Sequence, residues 1–302
     1  MLPFARVALI GLGLIGSSVA RAVRATMPTV RLTGHDADPA VRAAADRLEL
    51  LDDIADSAGA AVIDADLVIL CVPVGAMAGV AAEIAPDLPA DAVVSDVGSS
   101  KAAVARALAA ALPNIAIVPA HPVAGTERSG PDAGFATLFR GRWCILTPLP
   151  DTPAPATERV RAFWERLGAT VAQMTPEHHD RVLAGTSHLP HLIAYTIVGT
   201  ADELAQVTRS EVINFSAGGF RDFTRIAASD PTMWRDVFLT NREAVLEMLQ
   251  RFSEDLSQLQ RAIRVGDGDL LHEHFTRTRA IRRSIVALGQ DDAGPDFGRA
   301  HD

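Results

Sequence analysis

Lysine is almost missing from this chain. It occurs once, at Lys101, although lysine and arginine together number 28. Arginine cannot replace a compact ammonium on a flexible stem with a tunable pKa. The isolated lysine is therefore a candidate for substrate binding; the alternative is a helix-start residue that is lysine by chance. Cysteine is scarce too. Cys71 and Cys144 lie far apart in apolar segments and form no CxxC pair. That excludes a disulfide framework and suits buried, reduced thiols in a cytoplasmic protein. No apolar run suits a membrane span: the apolar stretch Leu67–Ala82 is interrupted by Pro73 and Gly75 and falls short of the roughly 20 residues a span needs. Met1–Arg6 lacks the basic start of a signal peptide, so none is expected. Positive charge is in deficit, with a net charge of −9. Neither nucleic acid nor an anionic membrane is expected as the main partner, although a local basic pocket can still hold an acidic small molecule. No internal repeat is visible.

What is present is a large apolar core. The 302 residues are 48% hydrophobic and 22% charged, which suits two domains and argues against global disorder. Short apolar β-rich runs at Val7–Ile10, Val30–Gly34, Leu67–Val72, Ala92–Asp96 and Ile115–Pro119 predict strands. They alternate with predicted helices at Leu14–Ala25, Pro39–Leu48 and Lys101–Ala111. Such alternation implies βαβ units and a mostly parallel sheet. Trp143–Thr147 and Thr170–Met174 read as late strands around a helix at Ala156–Leu167. Beyond Met174 the strand signal stops, and Leu189–Ala205, Thr232–Ile263 and Asp269–Leu288 read as helices. Phe238, Val245, Leu249, Phe252, Leu256 and Leu259 form one apolar stripe at helical spacing. A helix so long needs covering, which predicts a homodimer. The expected fold is α/β: a Rossmann-type domain over residues 1–174, an all-α substrate and dimerisation domain over 175–290, and a polar flexible tail over 291–302.

Gly11-Leu12-Gly13-Leu14-Ile15-Gly16 follows a predicted strand and opens a predicted helix. In that setting a GxGxxG run is a dinucleotide-binding loop, its helix start offering N–H groups to a pyrophosphate. Asp36 lies 20 residues beyond Gly16. A carboxylate there accepts from both ribose hydroxyls and repels a 2′-phosphate, which favours NAD over NADP; it also has the makings of a helix cap before Pro39. Val72-Pro73 ends the fourth strand and is expected to wall the cofactor pocket.

Two further segments follow predicted strand ends: Asp96–Lys101 and His121-Pro122-Val123-Ala124-Gly125-Thr126-Glu127. A histidine at such an edge can face a nicotinamide and take a proton from a substrate hydroxyl; the plainer reading is a structural histidine before proline. His188 and His191 are three apart but have no third partner at metal-ligand spacing, so no metal is expected. His178-His179-Asp180 reads as a solvated helix end. Arg221 and Arg235 add field to a pocket or sit on the surface; the sequence does not choose.

Together with the glycine loop, Gly98-Ser99-Ser100-Lys101, His121–Glu127, Ser187-His188-Leu189-Pro190-His191, Phe220–Ala227 and Asp230-Pro231-Thr232-Met233-Trp234 make the chain resemble the prephenate/arogenate dehydrogenase family from about Val7 to Leu288. The resemblance implies oxidative decarboxylation of prephenate or arogenate at a ring hydroxyl, with hydride passing to NAD+, in tyrosine biosynthesis. It implies that His121 and Ser99 bond the ring hydroxyl, Ser99 also orienting His121. It implies that Arg225 grips a carboxylate, and that His191, Glu127 and Trp234 line the pocket, although Trp234 suits a helix core equally well. No regulatory domain is expected after Leu288, so tyrosine inhibition, where present, is expected to compete at the active site. Two rival readings fit less well. A β-hydroxyacid dehydrogenase depends on a lysine in its helical domain, and no lysine follows Lys101. A non-catalytic NAD-binding redox sensor has no use for His121 and Arg225 together.

Overall fold

The computed structural model describes residues 2–208 and 218–286. It divides into two compact units, one ending at Val245 and the other beginning at Leu246.

The first unit is built on six parallel strands: β1 (Arg6–Ile10), β2 (Arg31–His35), β3 (Asp53–Ile54), β4 (Leu67–Leu70), β5 (Val93–Asp96) and β6 (Ala116–Val118). Their order is β3-β2-β1-β4-β5-β6, the doubly wound arrangement whose ligands bind beyond the carboxyl ends of the strands. All four residues of β4 and of β5 are buried, as strands covered on both faces require. One face packs on α1 (Leu14–Thr26) and α6 (Ala154–Arg166), with Phe163 and Trp164 filling the core. The other packs on α3 (Ala58–Val62), α4 (Met77–Ile84) and α5 (Ala102–Ala111). Between β2 and β3 runs α2 (Pro39–Arg47).

The chain then leaves the sheet. The expected strand Ile115–Pro119 stops at Val118, and Ala120–Pro122 forms a separate strand, β7. It pairs antiparallel with β8 (Trp143–Leu146), which pairs parallel with β9 (Thr170–Gln173). His121 thus lies in the middle of a strand of a second sheet, opposite Ile145, three residues past the end of β6. The prolines that flank it, Pro119 and Pro122, hid this strand from a reading by hydrophobic pattern.

Helix α7 (Pro176–Leu183) is capped by the Thr175 hydroxyl, which accepts from the His178 N–H at 3.2 Å. A π-helical turn, Ala184–His188, carries it into α8 (Leu189–Thr208). Such turns re-aim side chains and cluster at functional sites. The expected helix Thr232–Ile263 is two: α10 (Pro231–Thr240), which follows α9 (Gly218–Thr224), and α11 (Arg242–Val265). The break is Asn241, whose buried side chain donates to the Asp180 carbonyl at 2.8 Å and bonds His188 Nδ1 at 3.0 Å.

The second unit holds the rest of α11 and α12 (Gly268–Ile285), joined through Gly266 at φ +74°. Its helices leave Leu246, Leu256, Ile263, Phe275 and Ile281 more than half exposed. The expected tail, 291–302, lies outside the described residues.

Candidate active site

The loop after β1 is shaped by its glycines. Gly11 has φ +97°, and a Cβ there would lie 2.5 Å from the Cys71 carbonyl oxygen. A Cβ on Gly16 would lie 2.1 Å from the Gly11 carbonyl oxygen, so α1 packs tightly on the loop. A Cβ on Gly13 would meet nothing within 4 Å. The loop is open there, over a helix start with no side-chain cap and no acidic residue in its first turn. Its free N–H groups suit an anion. Leu14 and Ile15 are half-buried in this turn.

Asp36 closes the far side. Its carboxylate accepts from the Leu12 N–H at 2.8 Å and the Asp38 N–H at 3.0 Å, which ties the end of β2 to the glycine loop. The cap of α2 is Asp38, accepting from Ala40 at 2.8 Å, so the capping alternative for Asp36 is set aside. Val72 follows β4, with Cγ1 3.1 Å from where a Gly11 Cβ would stand, and Pro73 is exposed next to it. The open glycine, the uncapped helix and the anchored carboxylate fit a dinucleotide.

A second constellation begins at the carboxyl end of β5. Asp96 and Lys101 have no exposed surface and form an ion pair. The pair clasps the residue before His121: Lys101 Nζ donates to the Ala120 carbonyl at 2.8 Å, and Asp96 accepts from the Ala120 N–H at 3.3 Å. Burial lowers the Lys101 pKa, against the opposing pull of Asp96. This corrects the expectation for Lys101: its ammonium is consumed inside the protein, where it supports β7 instead of meeting substrate.

His121 is 8% exposed. Its Nδ1 bonds His179 Nε2 at 2.8 Å, and His179 Nδ1 bonds Asp180 Oδ1 at 2.9 Å. No hydrogen bond occupies His121 Nε2 among the described residues. The expectation that Ser99 orients His121 is corrected here, because His179 occupies the orienting nitrogen. Ser99 is half-buried. The reading of His178-His179-Asp180 as a solvated helix end fails for its last two members, which are 0% and 4% exposed. A signal was available: Pro176, His179, Asp180 and Leu183 are all buried and stand at the i, i+3, i+4, i+7 spacing of an inward helix face.

Around these lie the remaining candidates. His191 stacks on Trp234 with ring centroids 3.7 Å apart, and its Nδ1 donates to the Ser187 carbonyl at 2.8 Å, which makes Nδ1 the protonated nitrogen. Trp234 itself is 5% exposed and packed in the core, so it backs His191. Arg225 pairs with Glu127 at 3.1 Å, both side chains over a third exposed. Arg235 pairs with Asp236 beside an exposed guanidinium. Among the described residues no group of three or more side chains could hold a metal.

Burial sets the charges. It pushes His121 well below the usual histidine range, helped by its neighbours His179, Lys101 and His188, which disfavour a further positive charge there. It lowers His179 against the pull of Asp180, and lowers His188 to about 4. Between the unfolded value near 6.5 and the folded value near 4, the unfolded chain binds more protons at His188. Its contribution is therefore full above pH 6.5 and lost as pH falls toward 4. Unfolding by urea at pH 7.5 and pH 5 is expected to differ by about 2 kcal/mol from this histidine alone, with lower stability at pH 5; equal stability would refute the assignment.

The family model described as "Prephenate dehydrogenase, nucleotide-binding domain" matches residues 19–173, and that described as "Prephenate dehydrogenase, dimerization domain" matches residues 175–277. The chain belongs to the prephenate dehydrogenase family. It is similar to the cyclohexadienyl dehydrogenase of Zymomonas mobilis, 48% identical over 94% of this chain and 97% of that one. It is 34% identical to the prephenate dehydrogenase of Bacillus subtilis, over 96% of this chain and 78% of the other. Among solved structures, the prephenate dehydrogenase of Aquifex aeolicus in complex with hydroxyphenyl propionate and NAD+ aligns at a TM-score of 0.86 and 33% identity, covering 94% of this chain and 98% of that one. The protein is thus an oxidoreductase of this family, which sets aside the β-hydroxyacid dehydrogenase and redox-sensor alternatives. Among the described residues no helix is long and apolar enough to cross a membrane.

Proposed function

We propose that the protein catalyses the oxidative decarboxylation of prephenate, arogenate or both, with NAD+ preferred over NADP+, in tyrosine biosynthesis. The observation that carries the reading is His121: a nearly buried imidazole, oriented through Nδ1, whose Nε2 has no partner within the described residues. NAD+ supplies the hydride acceptor, held by Gly11, Gly13, Leu14, Ile15 and Gly16 at its pyrophosphate, Asp36 at its adenosine ribose, and Val72 and Pro73 along the pocket wall. A 2′-phosphate would meet the Asp36 carboxylate, hence the cofactor preference.

His121 Nε2 accepts the proton of the ring hydroxyl as C4 becomes a carbonyl carbon. The O–H bond breaks and an N–H bond forms; the C4–H electron pair would leave as hydride for NAD+. The bond to the ring carboxylate breaks to release CO2, its electrons complete the aromatic ring, and His121 returns the proton to the phenolate oxygen. Being held well below the usual histidine range, His121 is neutral and able to accept throughout the physiological window. The Ser99 hydroxyl bonds the same oxygen. Arg225 exchanges Glu127 for a substrate carboxylate, for which its planar fork is suited. His191, with Nδ1 engaged at Ser187, offers Nε2 to the side-chain end of the substrate. Glu127 and Asp132 are the carboxylates that could attract an arogenate ammonium.

The reading includes a boundary near residue 174 between cofactor and substrate domains, supported by the junction of the two family models. It also includes a homodimer formed through the helical region, supported by the apolar side chains that α11 and α12 expose; light scattering that shows only monomer would count against it. A cytoplasmic location is supported by two unpaired cysteines.

The test is NADH or NADPH formation by purified protein with prephenate and with arogenate, each with both cofactors. Turnover of either substrate, faster with NAD+, is expected. No turnover by folded protein that binds NAD+ would overturn the proposal. Arg225→Ala is expected to raise KM roughly 10- to 30-fold, equivalent to about 1.5–2 kcal/mol for a hydrogen bond between charged groups. An unchanged KM would remove Arg225 from the substrate site.

A further inference from the structure

We propose that His179 and Asp180 are positioning residues that hold His121 in the one tautomer able to accept the substrate proton; this rests on His121 being the proton acceptor proposed above.

A chain of hydrogen bonds runs inward from the helix start of α5. The Asp180 carboxylate accepts from the Lys101 N–H at 2.7 Å and the Ala102 N–H at 2.9 Å. Backbone N–H groups only donate, so the carboxylate is an acceptor on both oxygens. The bonds from His179, Ala102 and Lys101 outweigh the effect of burial and keep its pKa low. The Asn241 amide holds the Asp180 carbonyl at 2.8 Å, so this residue is fixed at backbone and side chain. An ionised carboxylate 2.9 Å from His179 Nδ1 requires the proton on Nδ1. In a neutral ring the other nitrogen then carries the lone pair. His179 Nε2 must therefore accept, and the 2.8 Å contact with His121 Nδ1 puts the His121 proton on Nδ1. That leaves the lone pair on His121 Nε2, the nitrogen without a protein partner.

The arrangement has a second consequence. Were His179 protonated, both its nitrogens would donate. His121 Nδ1 would have to accept, and Nε2 would carry a proton and be useless as a base. Full burial and the repulsion of buried Lys101 keep His179 neutral against Asp180. When His121 takes the substrate proton, its Nδ1–H already points at a lone pair, so the new positive charge is stabilised without rearrangement. His188, 0% exposed and bonded to Asn241, faces the same cluster as a further neutral ring.

Two variants and one spectrum test this. His179→Phe keeps the bulk of the ring and removes both nitrogens. His179→Gln places an amide oxygen near the former Nε2, where it can still accept from His121. The expected result is a kcat about 100-fold lower or worse for His179→Phe, in line with the loss seen when a catalytic histidine is left in the wrong tautomer, with KM within about threefold. His179→Gln is expected to recover at least tenfold of that loss. A purely structural role would not produce rescue by glutamine. Independently, nitrogen-15 histidine spectra of the full-length wild-type protein are expected to show His121 protonated at Nδ1 and bare at Nε2 from pH 6 to 8. Turnover of His179→Phe within threefold of wild type would overturn the proposal, and so would a His121 proton on Nε2 in wild type. Should the phenylalanine variant not fold, the glutamine variant and the wild-type spectrum still decide. Wild-type protein that turns over neither substrate would fail the proposed function, whereas active protein with the proton on Nε2 would fail this inference and leave the proposed overall reaction standing.

Discussion

Replacement of His121 by asparagine is expected to lower kcat by about 10²- to 10⁴-fold, the range that general base catalysis by a positioned side chain supplies. Asparagine is chosen because its amide nitrogen can occupy the place of Nδ1. It keeps the hydrogen bond to His179 Nε2, now 2.8 Å from His121 Nδ1, and so spares the buried cluster. What it lacks is a basic atom where Nε2 points. The β7 backbone should hold, because Ala120 is anchored by Asp96 and Lys101 and Pro122 pairs with Cys144 on β8. The affinity for NAD+ should therefore stay within about threefold, measured by calorimetry, while steady-state turnover collapses. Activity within tenfold of wild type would sink the assignment of the proton acceptor. Loss of both turnover and cofactor binding would point to a damaged fold.

The contrast between what was readable and what was not is physical. The glycine loop was readable because backbone sterics act locally: Gly11 and Gly16 have no room for a Cβ, and Gly13 opens the loop. The parallel strands were readable because burial on both faces leaves continuous apolar runs such as Leu67–Leu70. His121 was readable through its motif, but its strand was not. β7 is three residues long with proline at one end, and it exists only because β8 pairs with it. Polarity alone misplaces His179 and Asp180. A polar pair on a helix is usually solvated, and only the cap on α5 and the ring of His121, 79 and 58 residues away, repay its burial. Asn241 breaks the last long helix for the same reason: its partners, Asp180 and His188, are distant in sequence.

Lys101 carries the second large effect, and it is one of stability. Lys101→Met should destabilise the protein by about 3–5 kcal/mol, the usual result of removing one partner of a buried ion pair, which for a chain of this size lowers the melting temperature by on the order of 10 °C. The methylenes are replaced well by methionine, so packing contributes little. The loss is electrostatic. Asp96 would keep only the Gly98 N–H at 2.7 Å and the longer bond from Ala120, in a site with no exposed surface. The Ala120 carbonyl would lose its donor as well. Pairing the change with Asp96→Asn should recover part of the loss, because the unpaired charge goes with the ammonium; a double variant no more stable than Lys101→Met would refute the charge argument. The same experiment tells this clasp from a substrate-binding role. A substrate-binding lysine would raise KM and leave the melting temperature alone. A lysine clasped between Asp96 and Ala120 should do the reverse at low temperature, where the variant remains folded: melting falls, KM barely moves, and any loss in kcat follows from a loosened β7 beneath His121.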